Sequence, residues 1–146
     1  MKTALILLAI IGLVLGDFEN GHFSLLKAAE AKVKKSSEQV LAEAFKTHRS
    51  DFQAQVQAKV IKVLPDDTNG SRHQRFIIKL SSGQTLMVAH NIQLAPRVDD
   101  VQEGDDIELY GEYEWSERGG TLHWTHRDPG RRHVSGWIKH AGKLYQ

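Results

Sequence analysis

Cysteine is absent from this chain of 146 residues. That excludes disulfide staples, a thiol nucleophile, iron–sulfur clusters and thiolate zinc sites. A hydrophobic run of membrane length is absent too. The longest apolar stretch, residues 4–15 (ALILLAIIGLVL), covers roughly 18 Å as a helix against the ~30 Å of a bilayer core. No G-x-S-x-G elbow, Walker loop, H-E-x-x-H pair or dinucleotide fingerprint occurs, so four common catalytic or nucleotide-binding signatures are missing. The formal net charge is only +1, far from the excess of a dedicated DNA-binding domain. With 40% hydrophobic and 25% charged residues, the composition fits neither a disordered chain nor a multi-pass membrane protein.

What is present starts with Met1-Lys2-Thr3, a basic lead into the apolar run, which Asp17, Glu19 and Asn20 terminate. This is the anatomy of a signal peptide, with the small residues Val14 and Gly16 placed for a cut after Gly16. The expectation is a periplasmic or secreted protein whose residues 1–16 are the signal. Left uncleaved, the same segment becomes an inner-membrane anchor, the one membrane contact expected. Charge is segregated beyond it. Residues 53–115 hold six Lys/Arg against ten Asp/Glu, and residues 116–146 hold six against two, with four histidines added. The last third is thus a basic, His-rich block on an acidic body, a pattern that suits an anionic partner.

Residues 17–51 read as a helical spacer, rich in Ala, Lys and Glu. Ser36 or Ser37 suits a cap, Glu38 falls in the first turn, and Val40, Leu41, Ala44, Phe45 and His48 form one apolar stripe. From residue 52 the period changes to two. Strands are expected at residues 55–64, 75–80, 85–90, 107–115 and 121–127, with turns at 65–71, 81–83 and 119–120. Residues 52–146 are therefore expected to be mainly β, a small five-stranded Greek-key barrel of OB-fold type with a basic His-rich extension. Gly111 allows the fourth strand to bend, and a five-stranded SH3-like barrel is the alternative. A four-residue loop between the last two strands would set Trp115 opposite Leu122, Tyr113 opposite Trp124 and Glu114 opposite His123. His126 would then point inward across from Gly111.

The strings GSRHQRF at 70–76, AHNIQLAPRV at 89–98, GEYEW at 111–115 and HWTHRDPGRRHVSGWIKHAGKLYQ at 123–146 resemble a family of short exported bacterial domains. The resemblance covers roughly residues 53–146. It implies an exported, barrel-like domain and supplies no chemistry. One departure is Ala141-Gly142, where similar sequences carry Asn-Gly, the better two-residue hairpin turn.

Four constellations are candidates for chemistry. His123, His126 and His133 suit zinc by ligand type, although 123 and 126 point to opposite faces of a continuous strand. Arg72, His73 and Arg75 border the ligand face of an OB-type barrel and suit phosphate or carboxylate. His90 and Asn91 end the third strand, where a rim site with His73, His126 and Arg127 is conceivable; the alternative for His90 is a satisfied core histidine. Of the aromatics, Tyr113, Trp115 and Trp124 read as core. Tyr110 lies between Glu108 and Glu112, which would repel a phosphate backbone and so disfavour nucleic acid.

The resulting expectation is a non-catalytic binding module for an anionic ligand or an envelope protein, needing no cofactor. The alternative is a metal-dependent hydrolase of phosphodiesterase type. Its zinc would sit on His123, His126 and His133, with Arg72 or Arg75 steadying the anion and Asp128 or Glu114 as base. A third reading makes the helix of residues 22–50 a docking element for a membrane partner.

Overall fold

The helix starts where the sequence supplies a cap. Ser36 Oγ accepts the Gln39 N–H, and the Gln39 side chain accepts the Ser36 N–H, a reciprocal capping box. In the computed structural model, which describes residues 35–146, this gives α1 (Ser37–Thr47), closed by His48 in a left-handed conformation with φ 55°. The expected signal segment and the part of the helical spacer before residue 35 lie outside the described residues. His48 leaves the expected apolar stripe because it is the cap; Leu41 and Ala44 are the helix residues buried in the core.

Seven strands follow: β1 (Phe52–Asp67), β2 (His73–Lys79), β3 (Thr85–Asn91), β4 (Asp106–Glu114), β5 (Thr121–His123), β6 (Trp137–His140) and β7 (Lys143–Tyr145). The order is β1-β2-β3-β5-β4, closed into a ring of five by β1 pairing with β4. The β3–β5 contact is parallel, and the other pairings of the ring are antiparallel. β1 serves two neighbours because it is long: Phe52–Lys59 run against β4, and Lys59 onward runs against β2. Alternation sends Phe76, Ile78, Leu86, Val88, Leu109, Tyr113 and Leu122 inward, all with at most 0% exposure, where burial of apolar surface drives folding.

Several expectations change. β1 runs on through Pro65, which was expected to open a turn; the register shifts between Leu64 and Asp67, and an irregularity of this kind is where a strand tolerates proline. β5 stops at His123 instead of residue 127, because Trp124 turns the chain with φ 52°. The basic extension contributes two strands beyond the expected five. β6 pairs with the first half of β4, and β7 folds back on it through Ala141 and Gly142, with φ 47° and 76°. Two positive φ values make the tight hairpin that Asn-Gly favours, and Ala141 adopts the geometry here.

The β4–β5 pairing keeps the expected faces but slips by two residues. Tyr113 opposes Leu122 and Glu112 opposes His123. A shift of two preserves which side chains face inward. A Cβ on Gly111 would overlap the His123 carbonyl and the Thr125 methyl, so Thr125, not His126, is what packs against that glycine.

Candidate functional site

On the outer face of the ring the register lines up side chains from several strands. Lys62 opposes Ile77, Ile77 opposes Met87, and Met87 lies beside Thr121; in the next row Leu64 opposes Arg75. With the 115–120 turn these residues form an open hollow of about 770 Å³. Leu64, Ile77, Met87 and Trp115 supply apolar lining, and Lys62, Arg75 and Arg118 supply positive charge against one carboxylate, Glu117. Lys62 and Arg118 are exposed, with no ion pair or hydrogen bond among the described residues.

The turn that walls the hollow is fixed in place. Gly119 and Gly120 both have positive φ, and a Cβ on them would strike the Thr85 carbonyl and the Tyr113 ring respectively. Tyr113 Oη and Gln84 Nε2 both donate to the Gly119 carbonyl. Trp115 donates its indole N–H to the Phe45 carbonyl at 3.0 Å and packs against the His48 ring, tilted by 30° with centroids 4.1 Å apart. The wall is thereby tied to the end of α1.

The sequence-predicted residues separate into outer and inner groups. Arg72 and Arg127 are exposed, and His73 and Arg75 are half-buried on the outer side of β2. His73 Nδ1 donates to the Ser71 carbonyl, and Asn91 Oδ1 accepts from the Gln93 N–H. Arg75 Nε and Nη2 both donate to the Pro65 carbonyl, at 3.1 and 3.0 Å. His90 faces the other way. It is fully buried, its Nε2 donates to the Pro96 carbonyl, and its Nδ1 accepts from the Thr125 hydroxyl at 2.9 Å. Burial pushes its pKa down to about 4 against the usual 6.5, so the ring is a neutral core histidine. His126 is also buried, 6.4 Å from His90 between ring centroids, with Nδ1 donating to the Arg127 carbonyl. The structure thus pairs His90 with His126 inside and does not bring either to a rim with Arg72 and Arg75.

His123 and His133 converge on Glu112 instead. His133 Nε2 lies 2.7 Å from Glu112 Oε2, and His123 Nε2 lies 3.6 Å from Glu112 and from Glu114. Gln53 Nε2 donates to the same Glu112 carboxylate. Burial lowers the His123 pKa and outweighs the attraction of Glu114 and Glu112. The His133 ring stacks on Trp124 at 4.1 Å and 9°. His126 does not bond Glu112; its ring lies against Trp124, with centroids 5.4 Å apart. Among the described residues no three His, Asp or Glu side chains are grouped so as to hold a metal ion.

The chain matches, over residues 24–146, a family described as proteins of unknown function, DUF3465. The chain belongs to the DUF3465 family. No curated protein matches it.

The DUF3465 match takes in α1 and all seven strands. Its segment from Trp124 to Gly136 is organised round Asp128, whose carboxylate accepts the N–H groups of Gly130, Arg132 and His133. These donors hold Asp128 below the ordinary aspartate range, and they commit it to the loop rather than to base chemistry. The residues that sequence reasoning missed are Lys62, Met87 and Arg118. Lys62 and Met87 lie on polar or mixed faces of their strands, and only the β1-β2-β3-β5 neighbourhood brings them beside the 115–120 turn.

Proposed function

We propose that this DUF3465 chain is a non-catalytic binding module that takes a small organic anion with an apolar body in the hollow on β1, β2 and β3. The observation that carries the reading is the lining itself: three cations against one carboxylate over an apolar floor of Ile77, Met87 and Trp115. Apolar lining with a few placed polar groups is the usual composition of a small-molecule site. The strand order β1-β2-β3-β5-β4 with a parallel β3–β5 contact supports reading the ring as an OB-fold. In that fold the outer surface of the second and third strands, between the loops after strands one and four, is a binding face. The apolar run of residues 4–15 behind Lys2 supports export to the periplasm or beyond as part of the same proposal. The hydrolase alternative has no comparable support, since among the described residues no three His, Asp or Glu side chains are grouped so as to hold a metal ion.

The test uses anilinonaphthalene sulfonate, an aromatic anion that fluoresces when bound. The wild-type chain should bind it, and added salt should weaken the binding. Lys62→Glu with Arg118→Glu should weaken it by about tenfold or more, with little change in Tm because both side chains are exposed and unpaired. Binding indifferent to salt and to both reversals would sink the proposal.

A further inference from the structure

Arg75 differs from the other two cations of the hollow in being held. Its Nε–H and one Nη2–H converge on the Pro65 carbonyl. This uses the side edge of the guanidinium. The end-on edge, made of Nη1 and the remaining proton of Nη2, has no partner among the described residues. No carboxylate pairs with it: Asp66 is the acidic group it influences, and Asp66 Oδ2 is already taken by Arg97. Arg75 itself lines the hollow, with Ile77 and Met87 beyond it. Pro65 supplies this carbonyl from within β1, at the register shift that lets the strand run on. The proline that breaks the regular strand pattern therefore also positions the acceptor that orients Arg75.

We infer that Arg75 is the ligand-reading residue of this site. Its free end-on edge donates to two oxygens of one oxyanion, a carboxylate or phosphate ester, whose apolar body lies on Ile77, Met87 and Trp115. This inference rests on the binding reading above and adds the ligand's charged group and the residue that recognises it. The physical reason is geometric. A planar guanidinium edge makes two parallel charge-assisted bonds to such an oxyanion, which a lysine ammonium cannot do. Prior anchoring by Pro65 means little side-chain freedom is lost on binding. Lys62 and Arg118, both unanchored, raise the local potential without selecting geometry.

The experiment compares naphthoate, naphthyl phosphate and the uncharged naphthamide by calorimetric titration. Wild-type protein should prefer both oxyanions to the amide by about tenfold or more. Arg75→Gln should abolish that preference while leaving amide binding in place, which shows that the hollow is intact. Arg75→Lys, which keeps the charge and loses the fork, should restore little of it. Full recovery with lysine would reduce Arg75 to a bare charge and overturn the inference. So would loss of amide binding in Arg75→Gln, which would make the residue structural. Equal wild-type affinity for all three probes would overturn this inference alone; no binding of any probe would overturn the binding reading with it.

Discussion

His90 sits at a position where residue type and environment conflict, and the fold resolves the conflict by choosing a protonation state. Its two partners are a carbonyl and a hydroxyl. The carbonyl fixes the proton on Nε2, and the hydroxyl donates to Nδ1, so the neutral ring is fully satisfied. Burial disfavours the charged ring and depresses its pKa to about 4, more than the hydrogen bond to Pro96 raises it. In the unfolded chain it returns to the usual value near 6.5. Between these values the unfolded state binds more protons, so stability is intact above pH 6.5 and is lost as pH falls toward 4. This one group should lower unfolding free energy by about 2 kcal/mol between pH 7 and pH 5. Urea unfolding at the two pH values checks the loss, and an NMR titration of the His90 ring checks its midpoint. A midpoint near 6.5 would mean the ring is open to water. The sequence placed His90 on the face of Leu86 and Val88 but could not supply its partners, because Thr125 and Pro96 come from different connections.

Elements were legible to the extent that their signals are local. The capping box at Ser36 and Gln39, the alternation of β2 and β3, and the turn at residues 81–83 all depend on neighbours in sequence, and all appear where expected. The segment after β5 depends on close approach instead. Gly136 donates its N–H to the His126 carbonyl, and a Cβ there would overlap the carbonyl oxygens of Trp124 and Tyr110. Both obstacles are backbone and neither can swing aside. Gly136→Ala should therefore cost about 3 kcal/mol, read as a lowered urea midpoint with an unchanged m-value. A cost well under 1 kcal/mol would show that the loop shifts freely. The same close packing explains why β5 was expected too long: Trp124 and Thr125 carry strand-forming residues, yet the chain must leave the sheet there for the loop to reach back to β6.

Residues Ser36 to Gln146 form one compact unit, and Trp115 joins α1 to the ring. The indole bonds Phe45, the Trp115 N–H bonds Ser50, and Glu38 at the other end of α1 binds Ser81 and Ser82. Unfolding followed by Trp fluorescence and by far-ultraviolet circular dichroism should then give coincident transitions. A separate early transition in fluorescence would show α1 detaching before the ring. By itself the sequence determined the composition class, the cap of α1, the mainly β character and the inward face of most strands, because each follows from short-range spacing and side-chain polarity. It also marked Arg72, His73 and Arg75 as a basic cluster. Only the tertiary structure decided that β3 and β5 lie parallel, that β1 closes the ring on β4, that the His126 and His90 rings lie 6.4 Å apart, and that Lys62, Met87 and Arg118 complete the hollow around Arg75. These depend on contacts between residues distant in the chain, which a two-residue period can orient toward a face but cannot assign to a neighbour.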